Sequence, residues 1–119
     1  MNIILFSRKQ VKHNAEQLRT ILREIERYAM DYVVNEDLAA VIESLTNIRI
    51  APSHLFSGKP QATGDDVMIT YGGDGTLLEG VALLPADNIP VVGINCGRLG
   101  YLTADDGQGI KELFDAIAE

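Results

Sequence analysis

Short β-rich apolar runs alternate with segments of helical period along this chain, and that alternation constrains the fold more than any other feature. Ile3-Ile4-Leu5-Phe6 reads as a buried strand. Val11, Ala15, Leu18, Leu22, Ile25 and Ala29 then recur by fours and threes, predicting a long helix. Asn14 with Gln17 three residues on resembles a capping box, although Val11 suggests an earlier start. Tyr32-Val33-Val34 predicts a second strand, and Asn35 suits the N-cap of a helix with Leu38, Val41, Ile42 and Leu45 on one stripe. Residues 47–50 read as a brief third strand, and 51–65, with two prolines and two glycines, as a surface loop. A strand over 66–71, a break at 72–75, a helix over 77–84 and a buried strand over 89–94 follow. Tyr101-Leu102-Thr103 reads as a short extended piece, and Ile110, Leu113, Phe114 and Ile117 mark a last helix. The alternation predicts an α/β domain, an open and mostly parallel sheet with helices on both faces, without an internal repeat.

Composition narrows the function. One domain is expected from 119 residues, and 17 acids against 10 bases give a net charge of −7. That balance argues against nucleic acid as a partner, because affinity for it comes mostly from neutralising phosphates with Lys and Arg. Residues 51–119 hold 3 bases and 10 acids, so the whole −7 falls there. Phosphate chemistry in that part therefore needs a cation or a partner surface. Cys96 is the single cysteine, which excludes an intrachain disulfide or a Cys-based zinc site, and it reads as small packing volume. His13 and His54 have no ligand-spaced companions and read as surface residues, so no metal site is expected. The run before charge appears, Asn2 to Phe6, is only five residues, too short for a signal peptide or a membrane span, so a cytoplasmic chain without a membrane partner is expected. The last helix runs to Glu119 without a C-cap glycine or proline and reads as cut.

Two glycine-rich loops leave strand carboxyl ends, where open parallel sheets bind ligands. In Gly72-Gly73-Asp74-Gly75-Thr76, glycines let backbone N–H groups approach an anion, and the next helix aims its positive end there. The dinucleotide fingerprint G-x-G-x-x-G fails at Leu78, and Gly58-Lys59 is not a Walker loop, with Ser53 upstream and Pro60 following. Asp74 would repel phosphate unless it takes a hydroxyl proton or holds Mg²⁺; alternatively the four residues are a tight turn with an Asx hydrogen bond. Thr76 with Glu79 three residues on also reads as a capping box. In the second loop, Asn95 can donate and accept. Arg98 suits phosphate or a neighbouring acid, and Tyr101 suits a nucleobase or the core.

Taken together, the loops carry a resemblance. Tyr71-Gly72-Gly73-Asp74-Gly75-Thr76-Leu77-Leu78 resembles the GGDGT signature of NAD kinases, shared by diacylglycerol and sphingosine kinases and carried in variant form by phosphofructokinases. The stretch from Ile89 through Gly93-Ile94-Asn95 to Gly97-Arg98-Leu99-Gly100-Tyr101-Leu102-Thr103 is similar to NAD kinases specifically, with Tyr101 where the family often has Phe. The resemblance implies a Rossmann-like, phosphofructokinase-like three-layer domain. It implies phosphorylation of NAD on the 2′-hydroxyl of its adenosine ribose by ATP or polyphosphate with Mg²⁺, giving NADP. Asp74 would act at that hydroxyl, and Gly72, Gly73, Gly75 and Thr76 would face the phosphates. Leu78, Tyr101 and Leu102 would line the NAD pocket, with Asn95 and Arg98 in the second loop beside them. It further implies a C-terminal β-rich domain bearing an Asn-Glu motif, beyond residues 1–119. This chain would then be the N-terminal domain alone, with half a site and little activity. Apolar side chains left bare near the second loop would favour self-association, and the whole protein would be a homo-oligomer. A lipid kinase of the same superfamily and a non-catalytic nucleotide-binding domain are the alternatives.

Overall fold

A computed structural model describes residues 1–86, 88–94 and 108–118. Five parallel strands lie in the order β3-β2-β1-β4-β5: β1 (Asn2–Ser7), β2 (Asp31–Asn35), β3 (Leu55–Phe56), β4 (Asp66–Tyr71) and β5 (Val91–Ile94). The helices are α1 (Ala15–Arg27), α2 (Glu36–Thr46), α3 (Asp74–Ala82) and α4 (Gln108–Ala118). The strand order reverses between β1 and β4, the place where a doubly wound sheet opens a crevice at its carboxyl edge.

Period two along the central strands decides which residues meet which helices. Ile3, Leu5, Val67, Ile69 and Tyr71 form one core with Leu18, Ile21 and Ile25 of α1, Leu38 and Ile42 of α2, and Ile110 and Phe114 of α4. Ile4, Phe6 and Met68 face the other way, under Leu83 and Leu84 at the end of α3. Here α3 sits against the sheet at Gly80, where a methyl group would come within 2.8 Å of Thr70 Cγ2 and 3.1 Å of Met68 Sδ. Helices therefore cover both faces, as the alternation predicts. The N-terminal strand is tied to β4 through Asp66, whose carboxylate accepts from Asn2 Nδ2 (2.9 Å), Thr63 N (2.7 Å), Thr63 Oγ1 (2.7 Å) and Gly64 N (3.2 Å). Burial raises the Asp66 pKa, but these donors outweigh it and hold the carboxyl below its ordinary value.

Several expectations are corrected. The start of α1 is Ala15, not earlier, because the Asn14 side chain caps the Gln17 N–H (3.0 Å). Val11 instead packs on the core from the preceding loop. Ala29 lies beyond the helix with φ of +52°, closing it through Met30 N–H to the Ile25 carbonyl (3.0 Å). Asn35 is the N-cap residue of α2, as its position suggests, but its side chain makes no cap hydrogen bond. Its amide continues the sheet instead, accepting from Ser7 N–H (3.1 Å) and donating to the Ser7 carbonyl (3.0 Å) where the β1–β2 pairing ends. Residues 47–50 are not a strand. The free edge of β2 is taken by Leu55–Phe56, inside the segment read as a loop. A 3-10 turn, Pro52–His54, sets that register, with the His54 ring stacked on Tyr32 and its Nδ1 2.7 Å from the Tyr32 carbonyl. Among the described residues, no helix is long and apolar enough to cross a membrane.

Candidate functional site

The turn after β4 is fixed by bonds on both sides. Ser7 Oγ donates to the Tyr71 carbonyl (2.6 Å), and Gly72 N–H donates to the Ile94 carbonyl of β5 (2.9 Å). The Tyr71 ring is buried; its hydroxyl donates to Gln17 Oε1 and accepts from the Asn14 N–H (3.1 Å). One tyrosine thus links the start of α1 to the strand that carries the turn.

Having given its only proton to Tyr71, Ser7 Oγ accepts from His13 Nε2 (2.9 Å), which places the proton of the neutral imidazole on Nε2. His13 also stacks on Tyr71 with ring centres 5.6 Å apart. Burial pushes its pKa below the ordinary 6.5, against a smaller upward push from the Val11 backbone. Both histidines are half-buried rather than surface residues, because each ring stacks on a tyrosine. A histidine with a depressed folded-state pKa binds fewer protons folded than unfolded. It therefore lowers stability as pH falls through 6.5 towards the folded pKa. Urea midpoints at pH 7.5 and 5.5 should show a stability loss on acidification that is smaller in His13→Gln. An equal loss in both proteins would contradict this.

The helix begins three residues earlier than its apolar pattern predicts. Gly73 is the N-cap of α3, and Asp74, Gly75 and Thr76 form its first turn. The first helical bond runs from Leu77 N–H to the Gly73 carbonyl (3.1 Å), so the helix ladder does not use the amides of that turn. Thr76 is therefore not a capping residue, because it stands two positions inside the helix. Its hydroxyl is completely buried and has no hydrogen-bond partner among the described residues. Gly72 has φ of +152°, and a Cβ there would lie 2.5 Å from Thr76 Oγ1 and 3.0 Å from Val11 Cγ2. Only glycine fits beneath this turn.

Asp74 is exposed, and its carboxylate makes no hydrogen bond or ion pair among the described residues, so the Asx-turn alternative receives no support. Gly73 is exposed with open space where a side chain would stand. Leu77, not Leu78, packs towards Gly93 of β5; Leu78 is 70% exposed, with Val81 at 46% beside it on α3. The two glycine-rich loops do leave adjacent strands, since β4 pairs with β5. Asn95, Cys96, Arg98, Tyr101 and Leu102 lie outside the described residues, as does the extended piece at 101–103. The larger clefts, about 580, 560 and 450 Å³, open around His54 and Lys59, around Met30 and Tyr32, and around Asp65 and Pro90. They carry none of the donors that converge on the 72–76 turn. Sequence reasoning missed Arg8, whose guanidinium lies over Gly75. It stands just past the carboxyl end of β1, and no local sequence signal ties it to the turn after β4.

The whole segment matches known proteins. Residues 6–119 match the family described as ATP-NAD kinase N-terminal domain. An NAD kinase of Francisella tularensis subsp. novicida is 34% identical over 116 residues, covering 94% of this chain and 37% of that protein. An NAD kinase of Cytophaga hutchinsonii is 27% identical over 117 residues, covering 98% and 40%. A shorter stretch of 58 residues, 49% of this chain and 20% of the relative, is 57% identical to an NAD kinase of Gemmatimonas aurantiaca. The crystal structure of a yeast NADH kinase complexed with NADH shares the fold, with a TM-score of 0.69 at 23% identity, over 99% of this chain and 38% of that one. This chain therefore spans well under half the length of the relatives it matches. Its sheet order, its GGDGT turn and these matches agree: the chain belongs to the ATP-NAD kinase family, over the part described as its N-terminal domain.

Proposed function

We propose that this chain carries the GGDGT half of an NAD kinase site, transferring a phosphoryl group from ATP or polyphosphate to the 2′-hydroxyl of the adenosine ribose of NAD. The observation that carries the reading is Asp74, an exposed carboxylate without a partner among the described residues, on the first turn of α3 between two glycines. In the transfer, the ribose oxygen bonds to the terminal phosphorus and the phosphorus–bridging-oxygen bond breaks. Its electron pair leaves on the donor, and the hydroxyl proton goes to Asp74. Gly72, Gly73, Gly75 and Thr76 face the phosphates, where first-turn amides and the helix dipole favour negative charge.

Among the described residues, no group of three or more His, Cys, Asp or Glu is placed to hold a metal. One free carboxylate still fits Mg²⁺, which binds through one or two carboxylates together with substrate phosphates. When bound, Mg²⁺ supplies neutralisation of the phosphate charge.

The family resemblance assigns Leu78, Tyr101 and Leu102, with Asn95 and Arg98, to the NAD side, and the exposure of Leu78 supports a surface awaiting ligand or protein. The remaining length of the relatives is read as a β-rich domain with an Asn-Glu motif that completes a cytoplasmic, homo-oligomeric enzyme. With ATP and Mg²⁺, residues 1–119 alone should form little or no NADP. Turnover at the rate of a complete kinase would contradict the half-site reading.

A further inference from the structure

Residues 51–119 are poor in bases, yet the fold brings a cation to their phosphate-type turn from the other end of the chain. Arg8 follows β1, and a methyl group on Gly75 would stand 3.1 Å from its Nη2 and 3.6 Å from Cζ and Nη1. The side chain is half-buried, and its Nε is shut off from solvent without a hydrogen-bond partner among the described residues. No ion pair engages the guanidinium among the described residues, whereas neighbouring Lys9 stands 3.7 Å from Asp37. A guanidinium stays charged at any working pH, so partial desolvation without a counter-ion is costly unless an anion completes it. The buried, unpartnered Thr76 hydroxyl in the same turn is a second unused polar group.

We propose that Arg8 is an anion-binding residue of this site, holding non-bridging oxygens of a di- or triphosphate chain laid against the first turn of α3. This rests on the proposed phosphoryl-transfer reading and deepens it with a specific residue. The shared chemistry is a polyphosphate anion, whose source is either the donor chain or the pyrophosphate of the dinucleotide. Calorimetric titration of the 119-residue chain with inorganic tripolyphosphate plus Mg²⁺, with NAD, and with phosphate-free adenosine separates these.

Arg8→Gln should weaken tripolyphosphate binding about 10–100-fold and flatten its salt dependence, leaving adenosine unchanged. Arg8→Lys keeps the charge but loses the planar fork, and should lose roughly three- to tenfold. A loss confined to NAD also supports the proposal and assigns Arg8 to the dinucleotide pyrophosphate. Unchanged affinity for both anions in Arg8→Gln, or no tripolyphosphate binding by the wild type, overturns it. If Arg8→Gln does not fold, the lysine variant decides, and unchanged affinity there overturns the proposal. Arg8-dependent tripolyphosphate binding in a chain that ignores NAD would uphold Arg8 and contradict the NAD reading. NAD binding with Arg8-independent affinity for both anions would do the reverse.

Discussion

Gly72→Ala should destabilise the domain by about 2–5 kcal/mol, while Gly73→Ala one residue later should cost under about 1 kcal/mol. Two effects add at Gly72. Its φ of +152° is strained for any L side chain, and the new Cβ would overlap both Thr76 Oγ1 at 2.5 Å and Thr76 Cβ at 2.9 Å. Rotating Thr76 cannot relieve this, because its Cβ is fixed by the helix. Val11 Cγ2, at 3.0 Å, closes the opposite side. Gly73 has φ of −103° and open space at its Cβ position. Urea midpoints at constant m-value measure both. Thr76→Ala added to Gly72→Ala should recover only the part of the loss that comes from Oγ1, and leave the Cβ overlap and the backbone strain. Equal destabilisation by the two glycine substitutions would mean that the turn is not packed as described.

Asp74→Asn should separate binding from chemistry. The carboxylate sits where phosphates are expected and makes no hydrogen bond or ion pair among the described residues, so removing its charge costs the fold little. Affinity for tripolyphosphate without Mg²⁺ should rise severalfold as like-charge repulsion is lost. Residual NADP formation, followed with γ-labelled ATP, should fall about 10²–10⁴-fold, the usual contribution of a positioned general base. Unchanged residual turnover in the variant would return Asp74 to the role of a turn residue.

Much of this fold could be read from residues alone, and the failures have definite physical causes. β1 and β4 announce themselves because both faces of a central parallel strand are buried, and β5 through its short run Val91-Val92 and Ile94. β3 did not, since two residues on a sheet edge leave no period to detect. The start of α3 escapes the apolar pattern because its cap and first turn carry Gly73, Asp74, Gly75 and Thr76, which serve backbone access rather than apolar patterning. Asn35 and Thr76 both fit caps by local spacing; Asn35 does hold the N-cap position of α2, but its side chain extends the sheet at Ser7, and Thr76 is buried beneath Gly72. Asp74 could be singled out because a carboxylate in a phosphate-type turn is chemically unexpected. Arg8 could not, because 67 residues separate it from Gly75 and only the pairing of β1 with β4 brings the two together.

The central claim is that the first turn of α3 holds the phosphates of the nucleotide. Amide chemical shifts of the ¹⁵N-labelled chain, recorded during titration with MgATP, locate that binding directly. Saturable shifts at Gly73, Asp74, Gly75 and Thr76, joined by the Arg8 side-chain Nε, are predicted. Shifts confined to the cleft around Met30 and Tyr32, or none at millimolar nucleotide, would contradict it.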